Sequence, residues 1–312
     1  MEKVIEISHL TKEYQQLKAV DDLSLSVARG EILGLLGPNG SGKSTTINCI
    51  LSLLNYQKGT IRIFSQEMKP NAYDIKKNIG VVFQDVAVFE ELTVYENIDY
   101  FCGLYISAKK QRKQYIEDAI ALTGLDKYRQ FYPKQLSGGL LRRLNIACGV
   151  AHKPQLIFFD EPTVAVDPQS RNSILEGIRK LRDGGATIIY TTHYMEEVEM
   201  ICDRIVILDK GKIIASGSAE QLKTLAKIEE KVTVETDSLD ESMIRLLQTQ
   251  LDVDQVVCQE KGVTLTYRQG HHHIVEIIQF FNEHHLTFTN IYSQRPTLND
   301  VFLELTGKEL RD

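Results

Sequence analysis

The stretch from Glu31 to Leu54 constrains this 312-residue chain more than any other. Ile32, Leu33, Leu35 and Leu36 form an apolar run with the length of a buried strand, and it breaks into Gly37-Pro38-Asn39-Gly40-Ser41-Gly42-Lys43-Ser44-Thr45. Beyond the glycines, Ile47, Ile50, Leu51 and Leu54 recur at helical spacing, so the pattern reads strand, glycine loop, helix. This is the G-x-x-x-x-G-K-[ST] cradle for a polyphosphate. Gly37, Gly40 and Gly42 let backbone N–H groups approach an anion with no Cβ in the way, and the helix starting near Lys43 turns the positive end of its dipole to the same point. Lys43 is expected to reach the β and γ phosphates, and Ser44 to offer a hydroxyl to Mg²⁺, which prefers hard oxygen ligands.

Three further segments are expected to end near that cradle. Leu156-Ile157-Phe158-Phe159 is apolar throughout, as a central parallel strand would be, and it ends in Asp160-Glu161-Pro162. Carboxylates at the carboxyl edge of such a strand lie where open α/β sheets bind ligands. Asp160 is then a candidate for the Mg²⁺ shell, and Glu161, pointing to the other side, for polarising an attacking water. A second apolar strand, Thr187 to Tyr190, runs into Thr191-Thr192-His193, which makes His193 a candidate γ-phosphate contact, although a lone histidine is more often structural. A third, Ile79 to Phe83, ends in Gln84. Its amide can give an oxygen to a metal or an NH₂ to a phosphate, or can simply be solvated. Upstream, Val4 to Ile7 reads as an edge strand, and Tyr14 either stacks on adenine or packs on its own sheet.

Leu136-Ser137-Gly138-Gly139-Leu140 leads into a helix with Leu141, Leu144, Ala147 and Cys148 on one face. A serine and two glycines at a helix start make a second anion site, or only a cap. Between Glu90 and Thr123 the apolar positions have helical period, as in a helical insertion. Its basic run Lys109-Lys110-Gln111-Arg112-Lys113 is a solvated face or a contact to anionic headgroups or a membrane partner. Just after Gln84, the residues Phe89, Leu92, Val94 and Tyr95 are expected to form an exposed apolar groove for a partner's helix, the alternative being that Leu92 and Tyr95 are core of the helical insertion. Arg204 to Leu208 and Lys212 to Ala215, joined by Asp209-Lys210-Gly211, read as a hairpin.

Beyond Leu225 the pattern becomes β-α-β-β-α-β: Lys231 to Glu235, Ser242 to Leu251, Gln255 to Cys258, Val263 to Tyr267, His273 to Phe281 and Leu286 to Tyr292. That order suggests a small ferredoxin-like split βαβ. A last helix begins at Thr297, with Asp300 returning as a capping box. Three consecutive histidines, His271-His272-His273, cannot face one ion as i and i+4 residues can, so they read as a solvated turn.

Composition excludes some classes. A net charge of −6 argues against a general nucleic-acid binder, whose footprint is basic. Cys49, Cys102, Cys148, Cys202 and Cys258 show no C-x-x-C pair and suggest reduced, packed thiols. No targeting segment and no apolar run of the roughly 18 residues needed to span a bilayer is evident, so the chain alone reads as soluble.

On these motifs, residues 1 to about 225 resemble the nucleotide-binding domain of an ATP-binding-cassette transporter. The resemblance implies an α/β fold, a P-loop NTPase cassette with a mixed sheet core and a helical subdomain at about 90–150, followed by the small α+β domain at 226–312. In it Tyr14 matches the aromatic that stacks on adenine, Gly37 to Thr45 the phosphate loop, and Gln84 the loop linking γ-phosphate to the membrane subunit. Ser137, Gly138 and Gly139 match the family's signature, Asp160 and Glu161 the metal-binding and catalytic carboxylates, Asp167 the loop that crosses a dimer interface, and His193 the switch histidine. The chain departs from the pattern at Leu140, where Gln is usual, and at Val164-Ala165-Val166, where Ser-Gly-Leu is common.

The resemblance implies that two copies close head to tail, with Lys43 of one and Ser137, Gly138 and Gly139 of the other clamping one ATP with Mg²⁺. The tail Pro296-Thr297-Leu298-Asn299-Asp300-Val301-Phe302-Leu303 resembles the ending of type-two exporter ATPases, including drug and antibiotic self-resistance pumps. It implies an ATP hydrolase that energises a separate transmembrane permease from the inner face of the cell membrane. The alternative is a non-transport cassette ATPase acting as a switch on ribosomes or DNA.

Overall fold

The structure, a computed structural model, describes residues 2–15, 17–225, 230–236, 239–259, 262–267, 273–294 and 296–307. The chain forms two compact units, Met1–Ala219 and Glu220–Lys308. The division falls ahead of the expected boundary at Leu225, because most of the short helix α8 (Ala219–Lys223) belongs with the second unit.

The first unit is built on two sheets. Strands β1 (Lys3–Tyr14), β2 (Leu17–Ala28), β4 (Lys58–Ile63) and β5 (Gln66–Glu67) form an antiparallel sheet in the order β2-β1-β4-β5. Val4 to Ile7 is therefore not at an edge; β1 is paired on both sides, and Val4 and Ile5 are buried. The second sheet has the order β10-β9-β3-β8-β7-β6, from β3 (Ile32–Leu36), β6 (Ile79–Val82), β7 (Leu156–Asp160), β8 (Thr187–Thr191), β9 (Arg204–Asp209) and β10 (Lys212–Gly217). All its pairs are parallel except the β9–β10 hairpin. Both faces of β3, β7 and β8 are covered, which is why these strands read as unbroken apolar runs. Between the sheets, Leu33, Leu35, Phe158 and Val206 share a core with Ile47 and Ile50 of α1 (Lys43–Ile50). The short α2 (Tyr73–Lys76) adds Ile75 to that core. On the other face, Ile32, Phe159 and Tyr190 pack with Ile174, Leu175 and Ile178 of α6 (Pro168–Asp183) and Ile201 of α7 (Met195–Ile201).

Helices α3 (Val94–Gly103), α4 (Lys109–Thr123) and α5 (Gly138–Val150) form the helical insertion around their own core of Val94, Ile98, Ile116, Ile120, Leu144 and Ala147. The Thr93–Glu96 capping box starts α3 and turns Val94 inward, so Val94 is fully buried and Tyr95 packs against this core. The expected exposed groove therefore loses those two residues. Phe89 is exposed as expected, and with the exposed Tyr100 it makes an edge-to-face pair, ring centroids 4.8 Å apart. In the basic run, Lys109, Lys110 and Lys113 are exposed while Arg112 pairs with Asp99 at 2.8 Å.

The second unit is a sheet of β11 (Glu230–Glu235), β12 (Gln255–Gln259), β13 (Gly262–Tyr267) and β14 (Asn290–Gln294), all antiparallel, in the order β12-β13-β11-β14. With α9 (Glu241–Gln250) after the first strand and α10 (Ile274–Glu283) after the third, this is the split-βαβ arrangement. Alternating Val232 and Val234, with Val263 and Leu265, meet Leu247, Ile277, Phe280 and Phe281. The last strand starts at Asn290 rather than Leu286, because Leu286 and Phe288 turn in to seal this core from the preceding loop. Helix α11 (Leu298–Thr306) opens with the expected Thr297–Asp300 capping box, and Asp300 also pairs with Lys231. His273 stacks on Tyr267 at 3.8 Å rather than being solvated; His271 and His272 lie outside the described residues. Cys49, Cys102 and Cys148 are buried thiols, but Cys258 is exposed on the edge strand β12.

Candidate functional site

The phosphate loop joins β3 to α1, and its shape is enforced from outside. At Gly42, φ is +103° and a Cβ would meet the Ala19 carbonyl oxygen of β2 at 2.3 Å. At Gly37 a Cβ would meet Ser41 Oγ at 2.3 Å and the Leu208 carbonyl at 2.4 Å. From the β9–β10 hairpin, Gly211 N–H donates to the Ser41 carbonyl at 2.9 Å. Helix α1 has neither a side-chain cap nor an acidic residue in its first turn, which leaves the positive end of its dipole uncompensated. Lys43 is buried and folds back on the loop, donating to the carbonyls of Gly37 (2.6 Å) and Pro38 (3.2 Å). Burial pulls its ammonium down from the usual lysine range, and the Glu161 and Asp160 carboxylates oppose that pull. Ser41 Oγ and Thr46 Oγ1 are buried without a partner, so the cradle holds unspent polar groups. Pro38 is buried, Thr45 half-buried, and Asn39, Gly40 and Ser44 are exposed at the mouth.

Asp160 ends β7 and accepts a 2.6 Å bond from Thr191 Oγ1 of the adjacent β8. Glu161 follows with φ +51°, a left-handed conformation that costs a residue with a Cβ about 1–2 kcal/mol. Two hydrogen bonds hold it there, from its N–H to the carbonyl and hydroxyl oxygens of Thr191, each 3.1 Å. Its carboxylate meets His193 Nε2. Burial raises the Glu161 carboxyl above its ordinary value, against the opposing pull of His193 and Lys43. Asn39, Gln84, Glu161, Val164, His193 and Tyr194 line one open cleft, so residues from four separate chain segments converge at the sheet's carboxyl edge.

Among the described residues no cluster of three or more His, Cys, Asp or Glu side chains could hold a metal. The oxygens of Ser44 and Asp160 instead suit Mg²⁺, which takes few carboxylates from the protein and completes its shell with substrate phosphates and water.

Tyr14 is exposed rather than packed on its sheet, with Lys12 Nζ 4.7 Å over its ring. It pairs with Leu17 at the turn of the β1–β2 hairpin, the hairpin that also carries Ala19 against Gly42. Gln84 lies just past β6, and its backbone is moored to α5: Arg142 donates to the Gln84 and Phe83 carbonyls, while Asn145 Oδ1 accepts from the Ala87 N–H at 3.1 Å. Burial lowers the Arg142 guanidinium, opposed by Asp85 and Glu161.

Ser137 and Gly138 are exposed and line no part of the cleft. Ser137 Oγ caps α5 by accepting from Leu140 N–H at 3.3 Å, and Leu140 itself turns onto the helical core. Gly139 is pressed against α6: a Cβ would meet Ser170 Oγ at 2.5 Å and Asp167 Oδ2 at 3.0 Å. Asp167 caps α6 by accepting from Ser170 N–H at 2.9 Å, and that bond holds its carboxyl below the ordinary range. Ala165 sits at φ +59°, where the glycine common in the family would carry no Cβ penalty.

Sequence reasoning missed Arg142, Asn145, Thr191 and Glu197. The first two leave a trace, polar residues at i and i+3 that share one face of a largely apolar helix. Glu197 leaves none, since it follows Glu196 in an acidic pair and only burial separates the two.

Similarity to known proteins matches this geometry. The ABC transporter family model matches residues 20–164. The linearmycin resistance ATP-binding protein of Bacillus subtilis is 34% identical over 99% of this chain and 100% of its own length. The daunorubicin/doxorubicin resistance ATP-binding protein of Streptomyces peucetius is 33% identical over 99% of this chain and 94% of its own. A solved dimeric bacterial ABC transporter cassette is 28% identical and superposes with a TM-score of 0.62 over 69% of this chain and 98% of that one. The same score accompanies a dimeric cassette bound to ADP and Pi after hydrolysis, 26% identical, over 69% of this chain and 98% of that one. The fold and site define a P-loop ATPase. The chain belongs to the ABC transporter family, as an ATP-hydrolysing cassette subunit.

Proposed function

We propose that this subunit hydrolyses ATP to drive a separate exporter permease for amphipathic compounds of the drug or antibiotic kind. The convergence of Lys43, Asp160, Glu161, His193 and Gln84 on one sheet edge carries the enzymatic part of this reading. Similarity to resistance ATP-binding proteins over nearly the whole chain supports the transport part.

In this reading the Gly37–Thr45 loop and the start of α1 receive the triphosphate, and Lys43 leaves its loop carbonyls for the β and γ oxygens. Tyr14 stacks on the adenine. Ser44, Asp160 and Gln84 would hold Mg²⁺, which would offset charge on the phosphates. Glu161 orients and polarises the attacking water, with its raised proton affinity suited to a base. His193 holds the γ-phosphate and keeps Glu161 aimed. Ser137, Gly138 and Gly139 of a second copy close the site, and release of phosphate reopens it. The subunit then works at the inner face of the cell membrane through its permease.

The exposed apolar residues Phe83, Val86, Phe89 and Tyr100 around the Gln84 loop are the surface we assign to the permease. The test is capture of the permease by tagged subunit from detergent-solubilised membranes, identified by mass spectrometry. Phe89→Glu should abolish capture and transport while ATPase activity and melting stay near wild type. Recovery of ribosomes instead of a membrane protein would overturn the transport reading.

A further inference from the structure

Glu197 is buried on α7 (1% exposed), away from the open cleft, and takes no part in the chemistry above. Its Oε2 accepts from three hydroxyls: Thr163 at 2.9 Å, Tyr190 at 2.7 Å and Thr192 at 2.6 Å. Its other oxygen faces Arg171 Nε of α6 at 3.4 Å without a hydrogen bond, and the Arg171 guanidinium lies 4.0 Å over the Tyr194 ring. Thr163 lies two residues after Glu161, and Thr192 immediately precedes His193. Both halves of the Glu161–His193 contact are thus tied, through neighbouring threonines, to one carboxylate. A second link holds the far side: Thr192 Oγ1 also accepts from Tyr194 N–H at 3.1 Å, which fixes the chain on either side of His193.

We propose that Glu197 is a positioning residue for hydrolysis, setting the separation of Glu161 and His193 through Thr163 and Thr192 and tying both to α6 through Arg171. Burying a carboxylate is unfavourable unless donors and a cation compensate it, and here the compensating donors belong to the two segments that carry the reacting groups. A neutral side chain of the same shape keeps the packing but weakens the hold on all three hydroxyls. Misplacement on the order of 1 Å at a reacting group costs about a hundredfold in rate. The coupling also gives α6, whose N-terminus carries Asp167, a route to the hydrolytic pair.

The proposal rests on Glu161 and His193 acting as that pair, so the experiment separates the two ideas. In the full-length chain with Mg-ATP, Glu197→Gln should lower kcat about 10- to 100-fold, as loss of an orienting outer partner does, with KM within about threefold of wild type. In a His193→Ala background the same substitution should have a much smaller further effect, because the Glu161–His193 separation that it sets no longer exists. Thr192→Val, which removes one donor and leaves the carboxylate, should show the same pattern at about 3- to 10-fold and serves if Glu197→Gln does not fold. Equal losses in both backgrounds, or a loss confined to KM and melting temperature, would overturn the positioning role. Wild-type turnover in His193→Ala alone would instead remove His193 from the site and take the proposal with it.

Discussion

Among the described residues two glycine-bearing helix starts lack an acidic residue in the first turn, at α1 and at α5, and they are built in opposite ways. The first is lodged between β2 and the β9–β10 hairpin, with Gly37 and Gly42 hemmed in by backbone and Lys43 buried beside two carboxylates. The second stands at the surface: a Cβ at Gly138 would meet nothing within 4 Å, and Ser137 spends its hydroxyl on capping its own helix. The same local physics therefore serves two ends. A helix start enclosed by its own chain can organise a polyphosphate alone, whereas one open to solvent needs a second surface to exclude water and reach useful field strength.

The sharpest way to separate the two starts is turnover. Glu161→Gln should retain ATP binding and lose about 10²–10⁴ in kcat, whereas Lys43→Ala should lose binding as well, read by titration with a fluorescent ATP analogue. Retained turnover in Glu161→Gln would move the base elsewhere. Next come the glycines. Gly42→Ala places a Cβ in a left-handed backbone against the Ala19 carbonyl and should cost about 3 kcal/mol or more together with nucleotide binding. Gly138→Ala should melt at wild-type temperature or a few degrees above, since alanine is favoured over glycine in a helix by about 1 kcal/mol. Equal melting of the two variants would erase the distinction between an enclosed and an open start.

A milder change addresses assembly. In the Glu161→Gln background ATP should produce a dimer by light scattering, and Gly138→Asp should return it to monomer without a shift in melting. A dimer that forms without ATP and survives Gly138→Asp would assign the contact to another surface. The smallest effect is a pH dependence. Because burial raises the folded-state pKa of Glu161 above its unfolded value, protonated Glu161 favours the fold, and that contribution is complete below about pH 4.5 and lost as pH rises through the folded value. Glu161→Gln, permanently neutral, should therefore melt above wild type at pH 7–8, with the gap closing toward pH 4. A gap that widens at low pH would reverse the sign assigned to Glu161.

What the residues alone dictated is whatever neighbours along the chain can specify. The Gly37–Thr45 loop, the apolar strands that end in Asp160 and His193, the Thr297–Asp300 capping box and the split-βαβ order were all legible, because strand length, helical period and cap chemistry act over a few residues. Packing between distant segments decided the rest. It covered both sides of β1, drew Val94 and Tyr95 into the helical core, and delayed the last strand to Asn290 while Leu286 and Phe288 closed the core ahead of it. It also made Glu197 differ from Glu196: the donors that make a buried carboxylate tolerable come from Thr163, Tyr190 and Thr192, which sequence spacing does not link to α7 and only the assembled sheet edge brings within 3 Å.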